Sequence, residues 1–149
     1  VGDLLGPMLF AVLAGAARTF YGKFGDKIDL TKFMTVSAFL CIISYMLLAF
    51  SGFAFFGLLG CALCGLSSAI MWPGSYSLAS ASIKGGGTMM FAFLAIAGDL
   101  GGTIGPAIIG TVSSLCEDNL KTGFGVALIF PIGIFVLLVC RSVRKNRNK

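Results

Sequence analysis

Apolar residues run along this chain in long blocks separated by short polar breaks, with neither the alternation of a half-buried strand nor the narrow stripe of a soluble amphipathic helix. A bilayer core takes about 20 apolar residues per helix, and on that scale the blocks fall near 2–21, 33–51, 53–82, 88–115 and 123–140. The pattern predicts an all-α integral membrane protein with five transmembrane helices over 1–140 and a basic tail over 141–149. The break at Ser51-Gly52 is so short that the second and third spans must be antiparallel neighbours. At about thirty residues the third block is longer than a ~30 Å core needs, and it contains Trp72-Pro73-Gly74, which predicts a kink or break there. Ser75, Tyr76, Ser77, Ser80 and Ser82 follow, a polar run tolerated only against other helices or a wet cavity.

Composition sharpens this picture. The chain is 57% hydrophobic and 11% charged, with a mean hydropathy of +0.97, whereas a soluble domain carries roughly 25% charged residues. Its first partner is therefore the lipid bilayer. The 21 Gly and 14 Phe suit helices that pack backbone to backbone on one side and meet acyl chains on the other. A net charge of +5 raises the question of a polyanion, but the basic residues sit at the ends of apolar blocks, where they set topology; nucleic acid is not an expected partner. With five alternating spans, every basic residue except Lys121 falls on one side: Arg18, Lys23, Lys27, Lys32, Lys84, and the tail residues Arg141, Arg144, Lys145, Arg147 and Lys149. That side is expected to be cytoplasmic, and the Val1 end external, in a multi-pass protein of the cell membrane. With no initiator Met and no signal-peptide pattern at Val1, the chain is expected to begin within a longer protein.

Five cysteines, Cys41, Cys61, Cys64, Cys116 and Cys140, give an odd count, and they read chiefly as small packing residues. Cys61 and Cys64 form a CxxC, for which a redox role is the weaker alternative because no βαβ pattern surrounds it. The absence of histidine excludes a histidine-based metal site, a Ser/His/Asp triad and a histidine proton relay. No cofactor or metal is implied, and catalysis is not expected. Gly85-Gly86-Gly87 lacks the lysine of a P-loop and reads as a tight turn. Asp99-Leu100-Gly101-Gly102-Thr103 could imitate the phosphate-binding turn of a sugar kinase, but it lies inside an apolar block with no strand before it.

The fourth block carries the most informative pattern. On a helical period Ala92, Ala95, Asp99, Gly102, Thr103, Pro106, Gly110 and Ser113 share a small and polar face, with Phe93, Leu100, Ile104 and Ile108 away from it. This predicts a helix lining a bundle interior with Asp99 near mid-bilayer, where an ionised carboxylate costs about 3 kcal/mol unless paired, hydrated or protonated. Asp99 is thus a candidate for proton or substrate coupling; the alternative is a carboxylate that hydrogen-bonds broken backbone near the glycines. Asp3 is a second candidate, because Gly2-Asp3-Leu4-Leu5-Gly6-Pro7 faintly repeats Gly98-Asp99-Leu100-Gly101 with Gly105-Pro106 on a span of opposite direction. Such inverted repeats are common in transporters, although so short a match also arises by chance. Gly57, Gly60, Cys61, Cys64, Ser67 and Ser68 give the third span a close-packing face, so the third and fourth spans are expected to line one space. Trp72 and Tyr76 offer a flat surface for substrate contact, with Thr103 beside Asp99; alternatively they are packing or interfacial anchors.

The first break, Arg18-Thr19-Phe20-Tyr21-Gly22-Lys23-Phe24-Gly25-Asp26-Lys27-Ile28-Asp29-Leu30, resembles the cytoplasmic loop motif of the major facilitator superfamily. Gly22, Asp26 and Lys27 match, Asp29 stands where the motif has its second glycine, and Lys32 supplies part of the later basic cluster. Together with Trp72-Pro73-Gly74 and the Gly98 to Pro106 segment, the chain is similar to helices eight to twelve of a fucose-permease-like branch of that family. The resemblance implies part of a twelve-helix fold in which two halves alternate access to a central site. Arg18, Gly22, Asp26 and Lys27 would form a cytoplasmic latch, or else anchor the loop in headgroups. It implies a permease, expected to be a proton-coupled symporter for a small polar solute such as a sugar, partnered by an N-terminal half of the same protein. The alternatives are a five-span scaffold or subunit partner that transports nothing and, less favoured, an intramembrane enzyme.

Overall fold

The computed structural model describes residues 2–24, 29–50, 52–83, 85–116 and 119–147. Among these residues the helices are α1 (Gly2–Phe24), α2 (Leu30–Phe50), α3 (Ala54–Ser68), α4 (Met71–Ser82), α5 (Gly87–Leu115), α6 (Leu120–Ala127) and α7 (Ile129–Arg147). Five helical stretches are long and apolar enough to cross a membrane, because α3 with α4 and α6 with α7 each make one interrupted span. The all-α, five-span expectation therefore holds. Each interruption lies just before a proline, Pro73 and Pro131, whose missing N–H breaks the ladder at the carbonyl four residues earlier.

α2 is the hub. Met34 and Ala38 bury against Leu138 of α7, Phe39 meets Phe135 at 5.9 Å, and Tyr45 meets Phe124 of α6 edge-on at 5.8 Å. On its other side Ser44, fully buried, donates its hydroxyl to the Gly60 carbonyl at 2.8 Å. Met34 reaches Gly74 of α4, where a Cβ would stand 2.9 Å from its sulfur. The pairings Leu48 with Gly60 and Met34 with Gly74 run in opposite chain directions, so the second and third spans are antiparallel neighbours, as the length of their connection requires.

α1 runs parallel to α3, with Gly6 beside Cys61 and Phe10 beside Gly65. In the absence of a hydrophobic drive between helices in lipid, close backbone approach supplies the attraction, and only small residues permit it. The small face of the third span packs closely at Gly60 against α2 and at Cys61 and Gly65 against α1, but not at Gly57, where a Cβ would meet nothing within 4 Å; the α4 half meets α5 through Trp72 and Tyr76. α5 also packs on α6, where a Cβ on Gly123 would lie 2.6 Å from the Ile109 carbonyl oxygen.

The connections obey local chemistry. Asp29 caps α2, its Oδ1 accepting from the Thr31 N–H at 3.1 Å, and Asn119 caps α6 in the same way through the Lys121 N–H at 3.1 Å. Gly85 and Gly87 have φ of +86° and +52°, values that glycine adopts without steric cost. α7 stays helical to Arg147, well into the stretch assigned to a tail. Arg and Lys propagate a helix readily and suit its C-terminal dipole.

Candidate functional site

The end of α1 carries the first group of candidates. Arg18 donates from Nε to the Ala69 carbonyl at 3.2 Å, a contact between residues 51 apart in sequence. Gly22 is exposed, and a Cβ there would meet nothing within 4 Å, so steric need does not explain its glycine. Tyr21 stacks on Phe33 at 5.8 Å, bringing the end of α1 to the start of α2. Asp26 and Lys27, the core of the proposed latch, lie outside the described residues. Asp29, which departs from the loop motif, acts instead as the helix cap; its position just before Leu30-Thr31 was a signal readable in the sequence.

The break in the third span carries the second group. Trp72, 52% exposed, packs against Tyr76 at 4.9 Å, and Tyr76 stacks on Phe91 of α5 at 5.7 Å and 8°. The indole also lies over Gly98: a Cβ there would be 2.6 Å from Trp72 Nε1. Trp72 and Tyr76 thus bridge α4 to α5 immediately beside Asp99. Three of the four serines after the break do not need a cavity, because Ser75 donates to the Met71 carbonyl at 2.6 Å, Ser80 to Ser77 at 3.0 Å and Ser82 to Leu78 at 2.6 Å. Back-bonding one turn along their own helix satisfies them. Ser82 also accepts from Arg141 of α7.

α5 carries the third group. Asp99, Gly102, Thr103, Pro106 and Gly110 are all exposed, and Ser113 alone is buried in this helix. The side that packs within this chain runs through Gly98 and Ile109, about 100° around the helix from the polar face. Among the described residues Asp99 is exposed, and so are Phe93, Leu100 and Ile104 on the other side of the helix, so these five spans alone do not enclose either face at the level of Asp99. A crevice of about 510 Å³, lined by residues including Tyr45, Gly101, Ile104, Pro106 and Phe130, contains no acidic residue and takes only Pro106 from the polar face. On the exposed side the Thr103 hydroxyl donates to the Asp99 carbonyl at 2.8 Å. Pro106, without an N–H, leaves the Gly102 carbonyl free of its helical donor. A carboxylate, a hydroxyl and a released carbonyl therefore gather within one turn, a grouping that the helical period hinted at through Asp99 and Thr103 and that the released Gly102 carbonyl completes. Asp3 lies on α1, Gly2–Phe24, and Asp99 on α5, Gly87–Leu115.

Gly98 tests the Trp72 contact directly. Since the chain has a single tryptophan, Gly98→Val is expected to displace the indole and shift its fluorescence maximum, whereas Gly101→Ala, with open space around it, is expected to leave the spectrum alone. Identical spectra for the Gly98 variant and the parent would remove the contact.

Comparison with known proteins agrees with this architecture. The chain is 28% identical over 145 residues to "Membrane protein MosC" of Rhizobium meliloti, an alignment covering 97% of this chain and 34% of that protein. It thus spans about a third of the length of the curated relative it matches. No solved structure matches. Residues 5–149 match the sequence profile of the Major Facilitator Superfamily. With five apolar spans in place and nearly its whole length covered by that profile, the chain belongs to the major facilitator superfamily.

Proposed function

We propose that this chain forms helices eight to twelve, the C-terminal part, of a secondary active transporter of the fucose-permease-like branch, a permease that moves a small polar solute such as a sugar in symport with protons. The observation that carries the reading is the exposed polar face of α5. Asp99 and Thr103 sit midway along a 29-residue apolar helix, and lipid is no partner for a carboxylate at that depth. A face of this kind is suited to a water-filled cavity shared with an N-terminal half of the same protein. In this reading Asp99 couples proton or solute, Thr103 and the Gly102 carbonyl offer polar contacts, and Trp72 with Tyr76 supplies a flat aromatic wall. Asp3 is a secondary coupling candidate. Arg18, Gly22, Asp26 and Lys27 form the latch on the cytoplasmic side, where the basic residues put the C-terminus, and the protein resides in the cell membrane. The chemistry required is binding and movement, not catalysis.

The test is uptake by the full-length protein in proteoliposomes across a panel of labelled sugars and other small polar solutes, with and without an inward proton gradient. Accumulation that collapses on adding a protonophore is expected, and Asp26→Asn is expected to slow it. Absence of flux for every solute, from protein shown to be folded, would favour a non-transporting scaffold.

A further inference from the structure

The peptide bond before Pro73 has no N–H, so the Ala69 carbonyl, four residues earlier, cannot receive its helical hydrogen bond. Ala69 is 1% exposed and Ile70 is 3% exposed. A carbonyl released in such surroundings is costly, because neither water nor lipid replaces the lost donor. The backbone around it hardly deviates from helix, with φ, ψ of −54°, −33° at Ala69 and −97°, −17° at Ile70. What is interrupted at Pro73 is the hydrogen-bond ladder. The Arg18 Nε–H, from a different helix, points at this same carbonyl at 3.2 Å.

We propose that Arg18 is a positioning residue whose guanidinium replaces the backbone hydrogen bond that Pro73 removes, tying the end of α1 to the break between α3 and α4. Helix geometry explains how it reaches. α1 and α3 run parallel and touch at Phe10 and Gly65; Arg18 lies ~12 Å beyond Phe10 along α1, and Ala69 lies ~6 Å beyond Gly65 along α3. Helical side chains lean toward the N-terminus, which brings the long arginine back to the level of Ala69. A charged donor bonds a carbonyl more strongly than the amide it replaces, and the guanidinium holds its charge at any physiological pH.

The consequence for transport rests on the function proposed above; the hydrogen bond itself does not. If the break is held from α1, the α4 half that carries Trp72 and Tyr76 keeps a fixed angle to α3, and with it the indole stays over Gly98. A cation serving only as a headgroup anchor or as a partner for a loop carboxylate would be indifferent to residue 73.

A double-mutant cycle on the full-length protein in nanodiscs separates the two. Arg18→Met, which keeps the apolar stem, is expected to lower the unfolding midpoint by about 2–4 °C. Pro73→Ala restores an N–H to the ladder, and in that background Arg18→Met is expected to lose most of its effect. Where Arg18→Met does not fold, Arg18→Lys, which keeps the charge and loses the fixed donor geometry, is expected to show the same dependence on residue 73. An equal loss in both backgrounds overturns the proposal. Because the readout is unfolding, it stands whether or not any solute is moved, so failure of the transport reading and failure of the pin are distinguishable.

Discussion

Gly65→Leu is expected to part α1 from α3 and to leave little folded protein in the membrane. A Cβ at this position would stand 2.4 Å from the Phe10 carbonyl oxygen, 2.8 Å from its Cα and 2.9 Å from its carbonyl carbon. These are backbone atoms of another helix and cannot rotate away as a side chain would. The helices must separate, and with them go the Gly6 to Cys61 packing and the Arg18 bond to Ala69. Overpacking a tight core costs typically 1–3 kcal/mol, and loss of a helix pair in lipid adds the dispersion contacts along the whole interface. Even Gly65→Ala is expected to lower the midpoint measurably. Gly57→Ala is the control, since nothing lies within 4 Å of a Cβ there. Size-exclusion profiles and thermal unfolding in detergent read the outcome; a Gly65→Leu protein with the parent's profile and midpoint would mean that α1 does not lie on α3 in this way.

The features legible in the sequence were those set by one-dimensional chemistry. Block length gave five spans, and Pro73 marked one of the two interrupted ones; the break before Pro131 was not read from the pattern. Small residues along α3 marked a close-packing face that holds at Gly60, Cys61 and Gly65 and not at Gly57, but not which helix it would meet: spacing along α3 says nothing about whether Phe10 or a residue of α5 lies opposite. The same limit explains α5. The periodicity grouped Asp99, Gly102, Thr103 and Pro106 correctly on one face, and helical period cannot say what that face looks at. Its direction is fixed by Gly98 under Trp72 and by Ile109 against Gly123, contacts made by glycines that a hydropathy pattern passes over. The serines after the break looked like a demand for other helices or a wet cavity because intrahelical back-bonding, as at Ser75 and Ser82, leaves no trace in composition. Arg18 was visible as a cation in a loop motif. Its partner follows only when the missing N–H of Pro73 is traced to Ala69, 51 residues from the arginine.

Asp99→Asn in the full-length protein is expected to abolish proton-driven accumulation while leaving solute exchange across the membrane in place. Asp99 is the only charged residue between Gly87 and Leu115, so the substitution removes the one group in the middle of this span that can take up and release a proton. The carboxamide is nearly the same size and keeps a carbonyl acceptor, so the exposed turn with Thr103 and Gly102 loses titration and little else. Packing should be spared because Asp99 itself is exposed among the described residues. The expected result is therefore a split: uptake that no longer responds to an imposed proton gradient and reaches only the equilibrium level, with counterflow of preloaded solute retained. Asp99→Glu, which keeps an ionisable group, is expected to retain a response. If Asp99→Asn loses counterflow as well, the carboxylate holds the solute rather than the proton, and Thr103→Val should then weaken binding beside it. If accumulation and its pH dependence are unchanged, Asp99 takes no part in coupling, and its exposure has to be explained by hydration or by a partner helix that hydrogen-bonds it.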